Sequence, residues 1–352
     1  MTGRGQPNGD RLFIRRVLIV IALVAVAFLL WQLRTIVVML FGAVVVATVF
    51  RALADLIKKW VGLPDEAAVA LSILLILGSV AGIIYVFGGQ LSDQVAALTS
   101  ALPDAWQSLQ ARVAGLGFGD PLAALTGSAG PEGGGGAAGI GRFVMSVGGG
   151  IADTLVVIFG GIFLAAQPNF YRIGAIKLVP QAKRALVGEA MIDSERALRL
   201  WLRGQLFAMV VVGLLTGVGL WLIGVPSALA LGLLAGLLEF VPFAGPLLAA
   251  IPGVLLALVV GPELALWTVA LYIAVQQLEG NLLQPVVQQY TVDLPPVVLL
   301  FSLLAFGMLF GVIGIIFAAP LTVVSYVLVK RLYVQEALGT KTPIPGEHKN
   351  KE

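Results

Sequence analysis

Three acids lie inside stretches of this sequence that are otherwise apolar: Asp153, Glu239 and Glu279. An ionisable side chain at membrane depth is costly and by default marks an ion, proton or solute pathway. Glu239 stands in "LLEFVPFAGPLLAAIP", three residues before Pro242, with Gly245 and Pro246 just beyond. Proline removes a backbone donor and clashes with the preceding turn. The segment therefore reads as an interrupted helix whose freed N–H and C=O groups can ligate ions or polar solutes. A kink that serves packing alone would carry the same residues.

Glu279 stands in "AVQQLEGNLLQP", among Gln276, Gln277, Asn281 and Gln284. A carboxylate with several amides can hold a proton or Na⁺, or hydrogen-bond a hydroxylated solute. It can equally mark a membrane boundary where polar side chains meet headgroups. Asp153 follows "GGGIA" near the middle of its apolar run. It is a pathway candidate or an acid packed between helices, and the glycines before it allow close helix approach.

Other chemistries lack their parts. The chain has no cysteine and one histidine, His348, near its end, so thiolate sites and a His-centred site within the apolar stretches are excluded. There is no GxxxxGK[ST] loop, no HExxH and no GxSxG elbow, so neither nucleotide hydrolysis by a P-loop nor protease or esterase chemistry is expected. Basic residues sit in loops without interleaved aromatics, which argues against nucleic acid as a partner. No cofactor or metal site is expected beyond coupling to H⁺ or Na⁺.

These residues need a membrane frame. Of 352 residues, 59% are apolar and 12% charged, against about 25% charged in soluble domains. The expected fold class is an all-α polytopic membrane protein. A crossing needs about 20 apolar residues. Residues 1–16 form a polar tail and 17–89 hold three segments: Val17–Trp31, Thr35–Phe50 and Ala67–Gly89. The first two are expected to form a tight hairpin around Arg34. The run from Val17 lacks a small-residue cleavage site, so it reads as an uncleaved anchor. Residues 90–142 are polar, poor in Lys and Arg, and end in the low-complexity "GSAGPEGGGGAAG". A fourth segment, 143–166, leads to a charged connector, 167–204. There Leu186, Met191, Leu198 and Trp201 give an apolar side suited to a membrane surface.

Residues 205–329 then form the core, followed by a tail over 330–352. The core holds Leu206–Ile223, Leu264–Leu278 and two long apolar stretches, Ala228–Val260 and Val297–Val329. A helix of either stretch would be about 50 Å long at 1.5 Å per residue, too long for a hydrocarbon core of about 30 Å unless tilted or broken. Breakers sit in both: Pro242, Gly245 and Pro246 in the first, Gly307, Gly311, Gly314 and Pro320 in the second. Broken or re-entrant helices are expected in this half, whether each stretch is one pass or a hairpin. Counting each as one pass gives about eight transmembrane segments. Basic clusters before the first segment, after the second and fourth, and after the last all fall on one side if 90–142 is external. Both termini are then cytoplasmic.

The second half also carries a resemblance. "GVPSALALGLLAGLLEFVPFAGPLLAAIPGVLLAL" and "QQLEGNLLQPVVQQYTVDLPPVVLLFSLLAFGMLFGVIGIIFAAPL" resemble the autoinducer-2 exporter family of bacterial permeases. The shared features are the proline–glycine–proline break, the Glu-Gly-Asn…Pro segment, the paired Pro295 and Pro296, and the glycine-rich run ending at Ala319–Pro320. "LRGQ" at Leu202–Gln205 also fits. Phe243 stands where tyrosine is common in the family, so this chain has no hydroxyl there. The resemblance implies eight membrane segments, cytoplasmic termini, a bacterial inner-membrane location and homo-oligomers. It further implies export of the furanosyl quorum-sensing signal or, as in similar members, Na⁺(Li⁺)/H⁺ antiport.

The expected function is therefore a secondary transporter working without ATP. Its partners are the lipid bilayer and a small polar solute or monovalent cation. Glu239 and Glu279 are the protonatable groups and Pro242, Gly245 and Pro246 hold the break. Gln276, Gln277 and Asn281 are polar neighbours, and Asp153 is a further pathway candidate. An oligomeric pore or scaffold without coupled transport is the alternative.

Overall fold

The structure is a computed structural model that describes residues 17–21, 28–29, 31–86, 89, 151–285, 294–340 and 342–343. The expected external region at 90–142, the N-terminal tail at 1–16, residues 341 and 344–352 of the C-terminal tail and the start of the fourth segment at 143–150 lie outside the described residues. Every regular element among the described residues is helical, and the protein is a multi-pass membrane protein. Four of these helices are long and apolar enough to cross a bilayer, and one bent pair passes the same test.

Helix α1 (Arg34–Val61) ends on Gly62 in the left-handed region, φ 74°, with the Gly62 N–H bonded to the Lys58 carbonyl. Glycine adopts that conformation without a Cβ penalty and closes the helix. Helix α2 (Asp65–Val86) follows at once. The tight hairpin expected around Arg34 is not formed there. Leu33 is a single non-helical residue there, φ −90° and ψ 6°; its N–H bonds Leu29 C=O at 2.9 Å and its C=O accepts from Val37 N–H at 3.0 Å, so the chain bends at one residue rather than turning back. No glycine or proline stands between Trp31 and Arg34 to reverse the chain, and the Arg34 guanidinium settles over the Trp31 ring, 4.6 Å from its centroid.

Helix α3 (Ile151–Ala166) packs along α1, with Gly160 and Gly161 against Ala43 and Val46. In lipid no hydrophobic drive pulls helices together, so small residues that admit close van der Waals contact set the interface. Helix α4 (Pro168–Lys177) leaves α3 at 94°. A 3₁₀ turn, Gln181–Lys183, then opens α5 (Arg184–Leu222), 39 residues long. The expected border at 204/205 falls inside this one helix, about 58 Å long at 1.5 Å per residue. From Arg184 onward the charged connector and the fifth segment are a single rod.

The stretch 228–260 is a helical hairpin. Helix α6 (Ala228–Leu238) and helix α7 (Ala244–Val260) are joined by a break at Glu239–Phe243. Ala228 and Leu231 of the first arm pack with Leu256 and Ala257 of the second, which is the pairing of antiparallel arms. The stretch 297–329 also folds back. Helix α9 (Pro296–Ile316) is broken at Gly311, φ 68° and ψ −147°, and helix α10 (Ala318–Leu328) continues its second arm. A Cβ on Gly314 would strike the Phe306 carbonyl, a contact eight residues apart that only a reversal at Gly311 allows. Both long stretches are thus interrupted, as their breakers predict. Between the hairpins runs α8 (Pro262–Leu278).

Two glycine pairs set the geometry of the core. Gly213 and Gly217 of α5 face Gly232 and Gly236 of α6, backbone on backbone. A GxxxG spacing on each helix puts both glycines on one side and lets the axes approach closely. The second hairpin closes the other side of α5, where Ala319, Val323 and Val327 pack with Ala197, Leu198, Trp201 and Leu202. Leu198 and Trp201 are therefore core residues, 2% and 8% exposed, rather than the membrane-surface face expected of them. The same amphipathic pattern serves a helix–helix seam when a partner helix is present.

Candidate functional site

The tip of the first hairpin is strained and proline-bound. Phe243 has φ 64° and ψ −48°, and Ala244 N–H bonds Pro242 C=O at 2.8 Å. That is a γ-turn of the rare positive-φ kind. Pro242 sits in the break. Gly245 and Pro246 occupy the first turn of α7, where a missing N–H costs nothing. Gly245 has no room for a side chain, since a Cβ there would meet the Leu238 carbonyl. The hairpin thus brings Leu238–Glu239 and Gly245 into backbone contact, and the turn holds Glu239 at its tip.

Glu239 is 3% exposed. Its carbonyl accepts from Gln205 Nε2 at 2.6 Å, and Phe240 packs edge-on against Trp201 at 5.9 Å. The tip is so fixed to α5 at Trp201–Gln205, where the charged half of that helix gives way to the apolar half.

Glu279 arrives from the other side. At the end of α8 the helix widens to a π-turn, Glu279–Leu283, closed by Gln284 N–H to Glu279 C=O. Such turns are rare and recur at functional sites. Glu279 is 7% exposed. Its carboxyl lies within hydrogen-bonding reach of the Glu239 carboxyl. Gln276 Nε2 donates to Glu279 Oε2 at 2.9 Å and Gln284 Nε2 to Oε1 at 3.3 Å. Among the described residues no Lys or Arg pairs with either acid, and Glu239 Oε2 has no hydrogen-bond partner.

The expected site residues therefore divide. Glu239, Pro242, Gly245, Pro246, Gln276 and Glu279 converge on one place. Gln277 and Asn281 do not: Asn281 Nδ2 donates to Gln277 Oε1 at 3.1 Å on an exposed side. Asp153 lies in the first turn of the described part of α3, which packs along α1, and is not brought to the pair.

One participant carries a weaker signal in the sequence. Gln205 follows "LRG" and looks like a boundary residue, yet it holds the hairpin tip. The hydroxyls of Thr216 and Tyr272 are buried without partners. Thr216 lies eleven residues, three turns, beyond Gln205 on α5, and Tyr272 lies seven, two turns, before Glu279 on α8. Each shares a helix face with the site residue on its own helix. That spacing is readable in the sequence, but only once the site has been fixed by other means.

Two facing carboxylates in a low-dielectric site repel each other. Among the described residues no basic side chain offsets the two acids. Amides from Gln276 and Gln284 hold the Glu279 carboxylate, while the buried Glu239 Oε2 has no hydrogen-bond partner.

Known proteins carry related sequence. A chain of Bacillus subtilis (strain 168) named "Putative transport protein YrrI" is 33% identical over 151 residues, 43% of this chain and 43% of that one. "Putative permease PerM" of Escherichia coli (strain K12) is 32% identical over 173 residues, 49% of each chain. A Mycobacterium tuberculosis "Putative transport protein MT0215" reaches 42% identity over 105 residues, 30% of this chain and 29% of that one. The matched segments cover less than half the length of these relatives. The model of the AI-2E family transporters matches residues 18–333, so this multi-pass membrane protein belongs to the AI-2E transporter family.

Proposed function

We propose that the protein is a secondary transporter of the bacterial inner membrane, in which Glu239 and Glu279 exchange a proton for the cargo. The observation that carries this reading is the buried, facing carboxyl pair at the meeting of an interrupted hairpin and a π-turn. A pair that needs one positive charge for balance binds either H⁺ or another cation, and alternating occupancy couples the two. The cargo class is a small polar solute, such as the furanosyl signal of the family name, or Na⁺ or Li⁺ in antiport. Substrate hydroxyls suit the open carboxylate oxygen and the neighbouring amides equally well. The C-terminal tail, with Lys330 and Arg331, lies on the cytoplasmic side with the charged half of α5. The chain works as a homo-oligomer.

The test is flux in proteoliposomes loaded with a pH dye and offered a panel of Na⁺, Li⁺, K⁺ and the furanosyl signal. Wild type is expected to move one cargo uphill at the expense of a pH gradient. E239Q and E279Q each keep the fold, because glutamine is isosteric, and lose coupled flux by about 100-fold or more, the scale of a lost essential proton-transfer group. Wild-type rates in both variants would refute the assignment. Downhill flux alone, with no accumulation, would identify a pore instead.

A further inference from the structure

A second surface, away from the carboxyl pair, carries its own chemistry. Helix α4 leaves α3 at 94°, so when α3 crosses the bilayer α4 runs along its surface. The depth of that corner is marked by polar groups: Arg51 Nε donates to the Ala165 carbonyl at 2.6 Å and pairs with the exposed Asp65 at 2.7 Å. None of the ten residues of α4 is buried. Phe170 is 70% exposed and Ile173 50%, and being three apart they share a face. Ile176 on the same side turns back to Gly188 of α5. Lys177 stands four residues after Ile173, where its stem can run along apolar surface and its ammonium reach the headgroups.

Charge says what covers this face. From Gln167 to Gly188 the sequence carries Arg172, Lys177, Lys183 and Arg184 and no Asp or Glu. Arg184 is used internally, donating to the carbonyls of Val179 and Lys177. Among the described residues, Arg172, Lys177 and Lys183 make no ion pair. An exposed apolar face beside unpaired cations, and without one acid, fits a surface that is greasy below and anionic above. We propose that α4 and the turn after it, residues 168–183, are a binding site for anionic phospholipid headgroups, with Phe170 and Ile173 inserted at the acyl boundary. Because this segment leads into the rod α5, which carries Gln205 to the Glu239 tip, the site holds that rod at a fixed angle to the bilayer. The proposal does not depend on what the carboxyl pair transports.

The natural absence of cysteine makes the test direct. Full-length F170C and I173C, each carrying a nitroxide, are reconstituted in bilayers of phosphatidylcholine with and without phosphatidylglycerol. Oxygen and nickel-chelate accessibility is then read by electron paramagnetic resonance. Both labels are expected at the acyl–headgroup boundary in the mixed bilayer. In parallel, spin-labelled phosphatidylglycerol and phosphatidylcholine measure headgroup preference. Each basic residue near an anionic surface contributes about fivefold in association, so R172Q/K177Q/K183Q is expected to lower the phosphatidylglycerol preference by more than about fivefold. High salt should lower it likewise in wild type. R34Q, at the start of α1 and far along that helix from the Arg51 corner, is the control and keeps the preference. Water-exposed labels in both bilayers would overturn the proposal. So would immersed labels with a headgroup preference that the triple variant leaves unchanged.

Discussion

Replacing Gly232 by alanine tests whether the α5–α6 seam is what presents Glu239 to its partners. A Cβ on Gly232 would land on the Gly217 backbone and 2.8 Å from the Gly213 carbonyl, with no flexible side chain to give way. The helices must therefore separate, and overpacking of this kind costs about 1–3 kcal/mol. Gly236 adds a second reading: its Cβ would meet the Met209 carbonyl at 2.6 Å. Gly78 on α2 is the control, because nothing lies within 4 Å of its Cβ. There alanine should stabilise by up to about 1 kcal/mol through helix propensity. Unfolding in mixed micelles with increasing SDS gives the three midpoints. G232A and G236A are expected to fall and G78A to stay or rise. Separation should also carry Glu239 away from Gln205, lengthening the 2.6 Å bond that fixes the tip, so coupled flux should drop further than stability does. If G232A unfolds at or above the wild-type midpoint, the seam is not close-packed and the reasoning fails.

Two further expectations follow from the tip and from the ion pairs of Arg331. At Phe243 the positive-φ turn costs about 1–3 kcal/mol for a residue with a Cβ. F243G should therefore be tolerated within about 1 kcal/mol after its chain-entropy penalty, while F243V, β-branched, should destabilise by more than that. Equal stability of the two in the same SDS assay would contradict the turn. Arg331 pairs with Glu189 and approaches Asp193 at 3.7 Å, and Asp193 is only 9% exposed. R331Q should cost about 1–3 kcal/mol by leaving a largely buried carboxylate short of donors. E189Q, which alters an exposed partner, should cost less than about 1 kcal/mol. Identical denaturation midpoints for the two would show that Asp193 does not need Arg331.

The sequence carries the breaks more plainly than it carries their partners. Pro242 and Gly311 interrupt runs that are too long and too apolar to be anything but membrane segments, and a breaker acts through its own backbone, whatever surrounds it. The convergence of Glu239 and Glu279 is another matter. Forty residues part them, and only the return of the hairpin and the length of α8 bring both to the level of Trp201–Gln205. Each acid is conspicuous alone because a carboxyl in an apolar run has few explanations. That they face each other is a property of two helix lengths and one turn. Where the reading goes astray, a partner is the reason. The 186–201 face looks like a membrane surface because periodicity cannot say whether lipid or α10 will cover it. The expected hairpin near Arg34 rests on a charge between two apolar runs, yet the guanidinium stacks on Trp31 and the chain breaks at Leu33 alone. The GxxxG pairs at 213/217 and 232/236 are legible, but glycine is so frequent here, 43 of 352 residues, that spacing alone does not single them out.

The position of the carboxyl pair has a consequence for how the rod and the hairpin must move. Gln205 joins α5 to the tip through a backbone carbonyl, not through the Glu239 side chain. Charge on Glu239 can therefore change without breaking that bond. Glu279 is different, because its carboxylate itself accepts from Gln276 and Gln284. If the pair holds a proton or cation as proposed, its departure leaves repulsion acting on a tip anchored by its backbone and on a π-turn anchored by its side chain. A π-turn holds one residue more than the α-helix needs and can pass it along the axis, whereas the γ-turn at Phe243 has no slack to give. Loss of the bound charge should then displace the Glu279 turn and leave the hairpin tip on α5. Labels attached at L282C, 63% exposed on the π-turn, and at L237C, with a reference on α5, would read the two movements separately. A tip that moves while the π-turn stays would place the moving part in the hairpin instead.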